Sequence, residues 1–204
     1  MNAALPPSAS APGISRWSTS IIALHWLTVL TVLVAFGLVI DREWVEERAA
    51  RQALLQWHRY AGMTAWLLTL LRIPARFLST PPEHGLSRVQ TVLAASGHGL
   101  LYLALLALPA LGYLLTAARA GQVDFFGWPL PVFIAKDRDF AETLEGWHAN
   151  LGWVFLALAG AHAAVALWHH FAMRDRVLTA MLPWRHAAAS DLPPSPHSNT
   201  RTPT

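Results

Sequence analysis

The sequence predicts an all-α integral membrane protein, a four-helix bundle. Four long apolar segments, a small share of charged residues and at least one histidine in every segment carry that expectation. Just over half of the 204 residues are apolar and 13% are charged, against roughly 25% charged in a soluble domain. A spanning helix needs about 20 mainly apolar residues. The segments near Ser20–Ile40, Leu54–Pro74, Val92–Ala118 and Trp147–Met173 all meet that length. The bilayer core offers no water to backbone groups, so isolated spans are helical. A soluble bundle is the competing architecture, but four apolar stretches of this length would leave it without a polar face.

Each element follows in order. Residues 1–15, rich in Ala, Pro and Ser, are expected to be a disordered tail. No basic region followed by an apolar stretch and a small-residue cleavage site is present, so the first span is expected to be a retained anchor. That span is uncharged and holds His25. The second is interrupted near its start by His58 and Arg59, and Pro74 is expected to close it. The third holds His98 and, at Pro109, a residue that kinks a membrane helix without excluding it. The fourth holds His148, His162 and His169, with His170 adjacent. Residues 16–183 form the folded domain, and 184–204 are again expected to be disordered.

Four spans put both termini on one side of the membrane. That side carries Arg16, Arg72, Arg76, Arg88, Arg174, Arg176, Arg185 and Arg201 against Glu83, Asp175 and Asp191. The far side carries Asp41, Glu43, Glu46, Glu47, Asp124, Asp137, Asp139, Glu142 and Glu145, with nearly as many basic residues as the first. Orientation follows Lys and Arg, so the termini are expected in the cytoplasm. A net charge of +3 spread along apolar segments does not point to nucleic acid.

Cysteine is absent. That excludes disulfides, iron–sulfur clusters, thiolate ligation and covalently attached haem. No HExxH, P-loop or G-x-G-x-x-G occurs either. The histidines remain. One histidine at a span end is as often a hydrogen-bonded interfacial group as a ligand, but a set contributed by every span is expensive to bury without function. Depth sorts them: His25 and His98 lie toward the termini, His58 and His148 toward the far side. His148 and His162 are fourteen residues apart, ~21 Å of rise and within about 40° of one face. One helix therefore presents a ligand in each half of the bilayer, which suits two stacked haems. Gly62 and Gly152 each follow a histidine by four residues and share its face, leaving room for a flat macrocycle; ordinary small-residue packing also accounts for them.

RWSTSIIALHW at 16–26, WHRYAGM at 57–63, SGHGLLY at 96–102, WHANLGW at 147–153, GAHAAVALWHHF at 160–171 and RVLTAMLP at 176–183 together resemble the bacterial di-haem cytochrome b561 family. The resemblance implies two haems b, one on His25 and His162 and the other on His58 and His148. It implies that His98 and His169 lie near a quinone site on the termini side. It also implies a multi-pass protein of the bacterial inner membrane. Family activities include superoxide–ubiquinone oxidoreduction and service as the cytochrome b subunit of hydrogenases and other dehydrogenases; length and short connections favour the first. Electrons would then pass from superoxide or a redox protein on the far side to ubiquinone. Arg72 and Arg76 are candidate partners of haem propionates and equally suit snorkelling anchors. The far-side loops are acidic on balance despite Lys136 and Arg138, whereas an anionic donor needs a basic approach. A subunit that docks a dehydrogenase or soluble cytochrome, and a haem-free transporter with proton-relaying histidines, are the rival functions.

Overall fold

The computed structural model describes residues 17–80, 87–175 and 177–183. The expected tails, and Arg16, Glu83, Arg176, Arg185, Asp191 and Arg201 of the charge count, lie outside the described residues. Four helices form: α1 Thr19–Trp44, α2 Arg48–Phe77, α3 Arg88–Ala120 and α4 Arg138–Trp168. They contain 26, 30, 33 and 31 residues, or roughly 39–50 Å of rise. A π turn, His169–Met173, prolongs α4, and a 3-10 turn follows at Thr179–Met181.

The helices run beyond the apolar segments at several ends. Hydropathy marks the part that meets lipid, whereas backbone hydrogen bonding continues into polar flanks. Thus α2 begins at Arg48 rather than near Leu54, and α4 at Arg138 rather than Trp147. Pro74 does not close α2, which continues to Phe77. Proline lacks only its own N–H, and its carbonyl still accepts from Leu78 N at 3.0 Å. Composition separates α2 from the rest: α1, α3 and Arg138–Met173 are long and apolar enough to cross a membrane, but α2 carries Arg48, Arg51, Arg59, Arg72 and Arg76. It holds its place by packing between α1 and α3, with Arg59 and Arg72 half-buried.

Local signals fix the ends. Ser87 and Gln90 form a reciprocal capping box at the start of α3. Gly121, at φ 71°, ends that helix in the left-handed conformation. Asp137 caps α4 by accepting from Phe140 N at 3.0 Å. Between them lies an element the sequence reading missed, a two-stranded antiparallel hairpin of β1 Val123–Phe125 and β2 Trp128–Leu130. Phe126 and Gly127, both with positive φ, make the two-residue turn that such hairpins favour.

Antiparallel α1–α2 and α3–α4 pairs join through α2–α3 contacts. The core is sparse and built from small residues. Ala104, Leu105 and Phe155 pack with Val32 and Phe36, and the Phe36 and Phe155 rings stack at 6.2 Å. Ala118, Ala141 and Leu144 form a second cluster beside Leu114 and Ile134. Leu30, Leu33, Leu71, Leu103 and Val165 point outward, as expected of helices whose solvent is lipid.

Candidate functional site

The far-side histidines come together. His58 on α2 and His148 on α4 face each other with ring centroids 6.1 Å apart and planes at 85°. Each is held from behind by a carbonyl. His58 Nδ1–H donates to Ala35 O on α1 at 2.8 Å, and His148 Nδ1–H to Leu108 O on α3 at 3.0 Å. A carbonyl only accepts, so Nδ1 carries the proton in both rings and each Nε2 keeps its lone pair. This is how proteins orient metal-binding imidazoles. Two imidazoles holding one metal ion along a common axis, with metal–nitrogen bonds of about 2 Å, have centroids roughly 6 Å apart. The pair could therefore hold a haem iron between its two rings.

The glycine that makes room for His148 is Gly112. A Cβ there would lie 3.2 Å from His148 Cε1. Gly62 and Gly152, expected to leave room for a flat macrocycle, do not touch their histidines. A Cβ at Gly62 would meet nothing within 4 Å, and at Gly152 only Phe36 Cζ at 4.0 Å. They border open space, whereas Gly112 touches the ring.

The termini-side group is more populous. His98 on α3 and His162 on α4 meet edge to face at 5.3 Å. His25 on α1 lies within electrostatic reach of both, and of Arg72. Its Nδ1 is buried without a hydrogen-bond partner, a cost of about 1–3 kcal/mol if nothing else satisfies it. Three histidines thus converge on this level, and more than one pair among them could bracket a metal ion. His169 does not join them: its Nδ1 pairs with Asp175, whose other oxygen accepts from Val177 N at 3.0 Å. Of the two arginines singled out, Arg72 lies over the Tyr102 ring at 5.5 Å and Arg76 over Trp17 at 4.2 Å.

The sequence reading saw acidic far-side loops. The structure adds that Arg42 of α1 and Arg119 of α3 both lie within electrostatic reach of Arg59 on α2, and that Arg42 and Arg59 reach His58. Arg119 also pairs with Glu145 at 2.7 Å. With Lys136 and Arg138 it lines a cleft between the end of α3 and the start of α4. These basic groups are scattered in sequence and converge only in the bundle. The hairpin closes the same side: Asp124 accepts from Tyr60 Oη at 2.7 Å, and Phe126 stacks on Tyr60 at 4.2 Å.

The profile of the prokaryotic cytochrome b561 family matches residues 16–184, which takes in all four helices and every histidine described above. The chain belongs to the prokaryotic cytochrome b561 family. Cytochrome b561 homolog 1 of Escherichia coli is 29% identical over 183 residues, 84% of this chain and 99% of that one. A probable superoxide oxidase CybB of Yersinia pestis is 29% identical, over 82% of this chain and 96% of its own. Cytochrome b562 of Cereibacter sphaeroides is 33% identical, over 84% and 96%. As a cytochrome b561, the protein is a membrane electron carrier of the haem b type. The His58–His148 pair, facing at metal-binding distance with both tautomers fixed, fits that cofactor.

Proposed function

We propose that the protein holds two haems b and passes electrons from superoxide on the far side to ubiquinone on the termini side. The observation that carries the reading is the His58–His148 pair, with both Nδ1 atoms tied to helix carbonyls. His25 and His162 would hold the haem at the second level. The support for His25 is its place beside His98 and His162 at this level; unlike His58 and His148, its Nδ1 has no hydrogen-bond partner to orient the ring. Bound haem supplies a one-electron couple, which matches a one-electron donor.

The residues around the two levels do the rest. Arg42 and Arg59, the cations within reach of His58, guide an anion toward the far-side level, and the CybB relative supports superoxide as that anion. Two superoxide anions yield two dioxygen molecules and two electrons; with two protons these convert one quinone to its quinol. Asp175 accepts from His169 Nδ1–H, so Nε2 donates to a quinone carbonyl oxygen when the ring is doubly protonated and accepts from a quinol hydroxyl when it is neutral. His98 is the second histidine able to hydrogen-bond the quinone and pass a proton. Both termini lie in the cytoplasm on this reading, and the membrane is the bacterial inner membrane.

The test is direct. Purified protein should yield two haems per chain, extractable by acid acetone. Rapid mixing of the reconstituted protein with superoxide and a quinone analogue should form quinol. One haem per chain sinks the two-level reading. Two haems without superoxide-driven quinol formation leave an electron-carrying subunit that needs a protein donor.

A further inference from the structure

Helices α2 and α4 both run from the far side toward the termini. They meet at His58 and His148. Fourteen residues further on, ~21 Å along each axis, α4 presents His162 and α2 presents Arg72. The arginine therefore occupies on α2 the place that the second histidine occupies on α4. Its charge reaches His25, His98 and His162. The guanidinium lies over the Tyr102 ring at 5.5 Å, and its Nε is buried with no hydrogen-bond partner.

The two levels differ in how their cations are balanced. On the far side Arg119 is paired with Glu145 at 2.7 Å and Arg42 with Glu43 at 3.5 Å, and Arg59 lies within reach of Asp124. Among the described residues, Asp175 is the acid on the termini side, and it is engaged with His169. Arg72 has no carboxylate beside it among the described residues. A fixed cation stabilises the reduced iron over the oxidised one, and more so in a low-dielectric interior. Each haem brings the same two propionates, so the difference between the levels lies with the protein. A propionate pairing with Arg72 would not reverse the sign, since neutralising it also removes negative charge from beside the iron.

We infer that Arg72 holds the termini-side haem at a higher reduction potential than the far-side haem, so that an electron rests at the quinone end. Arg72 acts here as a positioning residue through its charge. The inference rests on the two-haem reading above.

A redox titration of the purified, haem-loaded protein, followed by its visible absorption, tests it. The far-side component is identified as the one missing from H58A. Wild type should titrate in two components, the termini-side one higher. Arg72→Gln should lower that component and leave the other in place, while Arg72→Lys should keep it near wild type. Asp124→Asn leaves Arg59 uncompensated and should raise the far-side component, narrowing the gap. If R72Q does not retain the termini-side haem, D124N decides from the opposite side. An R72K as low as R72Q, an R72Q with both potentials unchanged, or a D124N with an unaltered gap overturns the inference while leaving two haems in place. A single haem per chain overturns both readings.

Discussion

An imidazole binds iron through one nitrogen, and the hydrogen bond on the other decides which nitrogen is free. Ala35 O and Leu108 O make that choice for His58 and His148. His58→Ala and His148→Ala should therefore each remove the same haem, one of the two per chain, as read by pyridine haemochrome. His25→Ala and His162→Ala should each remove the other. A shared loss between H148A and H25A would break the assignment by depth. Gly112→Leu should mimic H148A, because even a Cβ would sit 3.2 Å from the ring. At the second level the contest is between His25 and His98, both beside His162. His98→Ala and His169→Ala should keep both haem spectra and slow quinone reduction at least tenfold, about 1.4 kcal/mol in the barrier. An H98A protein that loses the termini-side haem while H25A retains it would exchange their roles.

At the scale of elements, the β1–β2 hairpin couples the far-side loop to α2. Asp124 sits at its centre, receiving Tyr60 Oη at 2.7 Å and Gln56 Nε2 at 3.5 Å. The turn needs a left-handed residue at Gly127, φ 84°. Gly127→Ala should cost about 1–2 kcal/mol, seen as a lower thermal midpoint in detergent with the haem content unchanged. The helix hairpins need no such device. A three-residue link, Val45–Glu47, joins α1 to α2, and this forces them antiparallel and adjacent. Because α2 must pair with α1 and α3 to bury Arg59 and Arg72, the least apolar helix of the bundle is also the one that carries charge into it.

For the whole molecule, the opposition of charge and function on the far side is resolved by distance. The loops carry more acids than bases in sequence, yet Arg42 and Arg59 lie near His58, with Arg119 within reach of Arg59. Steering by exposed charge weakens as the Debye length shrinks from about 10 Å at 0.1 M to 3 Å at 1 M salt. The rate of superoxide-driven quinone reduction should fall as ionic strength rises across that range. Arg59→Gln should lower it several-fold at low salt and flatten its salt dependence. An R59Q rate that keeps the wild-type salt dependence would place the approach elsewhere.

The sequence by itself determined a helical membrane architecture, because a bilayer leaves a long apolar stretch no other way to satisfy its backbone; it overstated α2, which is less apolar than the three candidate spans and takes its place by packing. It also determined the levels of the histidines, because helical rise converts residue spacing into depth. Spacing on one helix says nothing of what faces it from another. That is why the far-side arginines, the Gly112 contact, the carbonyls behind His58 and His148, and the packing of His98 on His162 were decided only by the tertiary structure. The β1–β2 hairpin escaped for a related reason: its strands are three residues long, too short for an alternating pattern, and its order comes from Tyr60 and Gln56 on a neighbouring helix. Arg72 joins the two kinds of knowledge. Its depth follows from fourteen residues of helix after His58, but the lack of a carboxylate beside it among the described residues follows from how the helices pack.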